Sequence, residues 1–136
     1  MTSPQFQMDK PNPIQDKMQK IFFKVKEHLL KQNRKAYASE VGSKCGYRGI
    51  DGTKCAVGIL IPDEDYVRSM ELCSVVSNQV RRVLIRSLKL DQVSEIAKDR
   101  VFELLVSLQR VHDNYAIIDW PWALKQTCTK YQLDYE

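Results

Sequence analysis

No part of this 136-residue sequence approaches the ~20 consecutive apolar residues that span a bilayer. The longest apolar stretch, residues 55–61, is broken by Gly58. No membrane partner is therefore expected. The opening MTSPQFQMDKPNP lacks the basic start and apolar h-region of a secretory signal, so the expected location is cytoplasmic. Cysteine is sparse and scattered, at positions 45, 55, 73 and 128. A secreted disulfide scaffold is denser in cysteine, and zinc knuckles need close pairs. Reduced thiols follow, with Cys73 and Cys128 as small core residues. There are two histidines, no helix-turn-helix, no zinc finger and no internal repeat. Neither a metal nor a cofactor is expected.

What is present suits one soluble globular domain: 43% hydrophobic and 28% charged residues at a length that supports a single core. The net charge of +4 is unevenly spread. Residues 1–44 hold nine Lys/Arg against four Asp/Glu, 45–67 two against four, 68–90 five against one, and 91–136 five against eight. Separate basic and acidic faces are expected rather than a uniformly basic surface.

Residues 1–12 read as a flexible arm and 13–136 as the globular domain. Ile14, Met18, Ile21, Phe22, Val25 and Leu29 recur at helical spacing, after an Asn12 cap and Pro13 in the first turn, which predicts a helix to about residue 32. Further helices are predicted over a short stretch from Pro62, over 70–87, over 94–115 with Ser94 as cap, and over 120–131 with Asp119 as cap. Asp51-Gly52 is a strong hairpin signal, because both turn positions tolerate positive φ. It predicts a small β-hairpin around residues 43–61, although the small residues from Cys55 to Gly58 could equally begin a short buried helix. The expected class is α+β: a helix-dominated single domain of about five helices with one hairpin.

Residues 45–66, CGYRGIDGTKCAVGILIPDEDY, concentrate what is unusual: four of five glycines, two cysteines, Tyr47-Arg48 and the acidic run Asp63, Glu64, Asp65. The segment resembles one found in uncharacterised small proteins of bacteriophages and prophages. Cys45, Tyr47, Arg48, Gly49, Asp51, Gly52, Lys54, Cys55, Ala56, Val57, Gly58, Ile61, Pro62, Asp63 and Tyr66 carry the resemblance. Leu108, Gln109, His112 and Asp113 match a second, Leu-Gln-x-x-His-Asp part of it. The resemblance implies phage origin and an accessory role toward host transcription, nucleases or antiviral defence.

Three functions compete. The leading expectation is a phage-type accessory protein that binds a host protein, inhibiting a defence or nucleic-acid enzyme, with Tyr47, Arg48, Asp63, Glu64 and Asp65 as contacts. The acidic run also suits a helix start, where carboxylates meet the positive dipole end. A thiol hydrolase would use Cys55 as nucleophile and His112 as base, with Arg48 or Tyr47 on a substrate anion. Adjacent helix positions point ~100° apart, which makes Asp113 a poor orienter for His112. The third function is nucleic-acid binding through Arg81, Arg82, Arg86 and Lys89 with the lysines of the first helix. A zinc site would have to join Cys45, Cys55 and His112 with one of Cys73, Cys128 or His28, and no two of these have diagnostic spacing.

Overall fold

The computed structural model describes residues 12–38 and 45–136. Among these described residues, four α-helices order the chain: α1 (Pro13–Gln32), α2 (Asn78–Ser87), α3 (Glu95–Asn114) and α4 (Trp120–Tyr131). Among the described residues 64% are helical, only 3% bridge as strand and no sheet forms. The α+β expectation is therefore corrected to an all-helical fold. The arm predicted over 1–12 lies outside the described residues except for Asn12, as do residues 43 and 44 of the predicted hairpin.

Local chemistry sets the helix ends. The Asn12 side chain accepts the Gln15 N–H at 3.1 Å, and Pro13 occupies the first helical turn. Asn33, at φ 52°, closes α1 in the left-handed region. Ser94 caps α3 by accepting the Ala97 N–H at 3.1 Å, whereas Asp119 makes no capping bond to α4. Helices α1, α3 and α4 pack on one another. They bury Met18, Phe22, Val25 and Leu29 against Leu104, Leu105, Leu108, Trp120 and Leu124. The chain end is laced onto α1: Gln19 donates to the Asp134 carbonyl and accepts the Asp134 N–H, both at 2.8 Å.

Two further departures have clear causes. The helix predicted over 70–87 begins only at Asn78. Arg68–Leu72 form a short 3₁₀ turn, Cys73 is extended, and Val75-Val76 add β-branching where a helix would have to continue. The stretch from Pro62 is likewise one 3₁₀ turn, Asp63–Asp65. The Asp51-Gly52 turn does form, with Gly52 at φ 84° and the Gly49 N–H donating to the Thr53 carbonyl at 2.7 Å. Its arms meet at one bridge, between Arg48 and Lys54. The backbone donors a strand partner would take go to side chains instead. Glu71 accepts the Tyr47 and Arg48 N–H groups, and Gln32 accepts that of Lys54 at 2.9 Å. Beyond Lys54 the chain turns into Gly58–Leu60, another 3₁₀ turn. Gly58 is needed there: a Cβ would fall on the Tyr47 carbonyl oxygen. No helix among the described residues is long and apolar enough to cross a membrane.

Candidate functional site

Residues 45–57 and 109–113 meet in space. Gln109, on α3, accepts the Val57 N–H through its Oε1 at 3.0 Å, which turns its amide nitrogen toward Asp113 Oδ1 at 2.9 Å. Asp113 Oδ1 lies 2.7 Å from His112 Nδ1. The Cys45 thiol sits beside the same carboxylate. Its Sγ, the His112 nitrogen and the Asp113 oxygen all lie within 4.8 Å of one another.

This corrects the expectation for Asp113. Two neighbours on a helix diverge by ~100° at the backbone, yet both side chains sit on the last turn of α3, and the carboxylate swings back to the imidazole. Asp113 does orient His112.

The histidine's other nitrogen decides what the pair can do. His112 is fully buried, stacks on Trp120 at 5.6 Å between ring centres, and its Nε2 lies 3.0 Å from the Ala36 amide nitrogen. A backbone N–H can only donate, so Nε2 accepts and the proton sits on Nδ1, donated to Asp113. Both imidazole nitrogens are thereby occupied. His112 holds no free lone pair for a thiol proton. The same bond works against a metal at Cys45, His112 and Asp113, because a ligating Nδ1 would put a proton on Nε2 facing the Ala36 N–H. The cluster is satisfied as a hydrogen-bond post that ties α3 to residues 36, 45 and 57.

Neither thiol near it is activated. Cys55 is fully buried, its Sγ accepts the Gly58 N–H at 3.2 Å, and burial pushes its pKa up to about 12. Burial, and then the Asp113 charge, push Cys45 up to about 11. A raised pKa keeps a thiol protonated at neutral pH, the reverse of what a nucleophile needs. Ellman's reagent at pH 8 is accordingly expected to leave Cys55 unmodified in the native protein and to label it after denaturation. Rapid native labelling at Cys55, mapped by mass spectrometry, would contradict this burial.

The proposed contact residues are largely engaged within the fold. Tyr47 is buried and its hydroxyl donates to the Cys73 carbonyl at 2.8 Å; burial raises its pKa. The Arg48 guanidinium donates to the Gly58 and Ile61 carbonyls at 2.6 and 2.7 Å and to Asp63 at 3.0 Å, and lies over the Tyr66 ring. Asp63 also meets Lys54 at 3.2 Å, and these cations hold its carboxyl below the usual range. Asp65 pairs with Arg86 at 3.1 Å, while Glu64 is exposed. The basic strip divides. Arg81 turns inward over the Phe102 ring and pairs with Asp99 at 3.7 Å, whereas Arg82, Arg86 and Lys89 face solvent. His28 is half-buried beside the Lys54 carbonyl, 2.8 Å from its Nε2, and burial lowers its pKa.

Sequence reading missed Glu71, the one acid in residues 68–90, set between Met70 and Leu72. Its two oxygens accept the Tyr47 N–H at 2.9 Å, the Arg48 N–H at 3.0 Å and the Tyr66 hydroxyl at 2.6 Å. Burial, then the bond to Glu71, push Tyr66 up to about 12. Beside this clamp opens a cleft of about 470 Å³. Gly46, Tyr47, Val75 and Val106 line its walls, with Cys45 and Asp113 at one side. Leu72 and Val76, also part of its lining, are 83% and 54% exposed. Comparison with protein families, curated proteins and solved structures gives no match.

Proposed function

We propose that this chain is a small phage-type accessory protein that acts in the host cytoplasm by binding a host protein through the cleft beside Glu71. The observation that carries the reading is Leu72, left 83% exposed on the lining of a largely apolar cleft. Exposing a leucine and a valine on one cleft forfeits the stabilisation that burial would give them, and such patches mark contact surfaces. The rigid floor, held by Glu71 and the Gln109–Asp113–His112 post, would receive an apolar side chain of the partner without reorganising. Inhibition of a host defence or nucleic-acid enzyme as the outcome rests on the resemblance of residues 45–66 and 108–113 to phage proteins.

The test is affinity capture from bacterial host lysate with the wild-type chain and Leu72→Glu. A stoichiometric protein partner is expected with the wild type. Its recovery should fall at least ~10-fold with Leu72→Glu, the loss of about 1.4 kcal/mol of binding. Circular dichroism and the unfolding midpoint should not change, since the side chain already lies in water. Absence of a stoichiometric partner, or equal capture by both proteins, would overturn the proposal.

A further inference from the structure

A second, chemically different surface lies away from the cleft. Lys20 and Lys24 of α1 face Ser87 and Leu88, at the end of α2, across a groove of about 340 Å³. Ile21, Ile59, Leu60 and Pro62 form the rest of its lining. Lys17, one turn before Lys20 on the same side of α1, donates to the Leu88 carbonyl at 3.3 Å and so fastens the two helices together. Lys89 follows immediately, at φ 57° and exposed, and Arg86 and Arg82 continue the positive charge back along the outer side of α2.

These cations belong to segments 50 or more residues apart, and only the fold brings them together. Lys20, Lys24, Arg82 and Lys89 make no ion pair among the described residues; Arg86 alone has one, to Asp65. In the adjoining turn Asp63 is held by Arg48 and Lys54, so its charge is also compensated. The groove's own lining holds no carboxylate, with Glu64 exposed only in the adjoining turn, so the cations around it repel one another. An external polyanion would relieve that repulsion.

We infer that this groove binds the phosphate backbone of a nucleic acid, without reading its sequence. The groove lining holds no aromatic ring on which a base could stack. What it offers is charge along a line: Lys17 to Lys24 spans about 10 Å of helix. Phosphate contacts of this kind position a strand and carry no base information. A lipid surface fits less well, because the groove's own apolar lining is withdrawn, with Ile21 and Leu60 each 5% exposed. This surface is independent of the host-protein cleft, and its variants leave Leu72 untouched.

Fluorescence anisotropy of a labelled 20-base-pair DNA and a 20-nucleotide single strand would test it, over 50–200 mM salt. Four free cations predict a log–log salt slope of about −3 to −4, so affinity should fall on the order of 100-fold across that range. Lys20→Glu/Lys24→Glu should weaken binding at 50 mM salt at least 10-fold and flatten the slope by about 2, with an unchanged circular dichroism spectrum. Lys130→Glu, on α4 outside the groove, should bind as the wild type does. No anisotropy change at 50 mM salt would overturn the inference. So would binding indifferent to Lys20→Glu/Lys24→Glu, or sedimentation with anionic phosphatidylglycerol vesicles in the absence of nucleic-acid binding.

Discussion

Glu71→Ala is expected to destabilise the protein by about 4 kcal/mol, more than any other single surface-accessible substitution considered above. The carboxylate takes the Tyr47 and Arg48 N–H groups, one on each oxygen, and the Tyr66 hydroxyl as a third donor. Each donor stranded in a partly buried site costs ~1–3 kcal/mol, and bonds to a charged acceptor lie at the upper end of the scale. Part of that is returned by water, because Glu71 itself is only half-buried. Glu71→Gln should fall between, near 2 kcal/mol, since its amide nitrogen would face donors with another donor. Urea unfolding should show a lower midpoint with an unchanged slope, and the melting temperature should drop on the order of 10 °C. A change within ~0.5 kcal/mol would mean that residues 45–48 are held by something else.

The second large effect concerns His112. His112→Phe keeps an aromatic ring to stack on Trp120, though a slightly larger one, but removes the acceptor for the Ala36 N–H and the donor to Asp113. The expected cost is about 3 kcal/mol, chiefly from the buried amide left without a partner. Histidine ¹H–¹⁵N correlation spectra of the wild type should show the proton on Nδ1. A proton on Nε2 would break the assignment of the Ala36 bond and restore His112 as a free base.

The helices that were legible in the sequence are those whose signals are local. Asn12-Pro13 and Ser94 mark the starts of α1 and α3, and apolar spacing of three and four carries each helix to its end. The Asp51-Gly52 turn was legible for the same reason, since positive φ at Gly52 is a property of two adjacent residues. What failed depends on partners remote in sequence. A hairpin was expected because nothing in residues 43–61 reveals that Glu71, Gln32 and Gln109 will take their amide hydrogens. An unbroken helix over 70–87 was expected because Leu72, Val75, Val76 and Val80 keep helical spacing, although Leu72 and Val76 end up in water.

The candidate site shows the same division. His112 lies on the apolar side of α3 and is fully buried, stacked on Trp120. Its union with Asp113, and of Asp113 with Cys45, required knowing how the final turn of α3 meets residues 36 and 45. Cys55 drew notice because two cysteines and four glycines crowd one segment. Those residues serve close approach: Gly58 lies on the Tyr47 carbonyl, and Cys55 fills the space beneath. Within residues 45–66, Cys45, Gly46 and Tyr47 line the cleft, and Arg48 and Gly58 hold that stretch in place.

That division of labour, a rigid segment below and exposed apolar contacts above, is tested most directly by one side-by-side capture. Cys55→Ala and Leu72→Glu would each be used as bait in host lysate, with unfolding midpoints measured in parallel. Cys55→Ala should retain the wild-type partner in full, and Leu72→Glu should lose it while folding normally. A folded Cys55→Ala that loses the partner while Leu72→Glu keeps it would contradict the account.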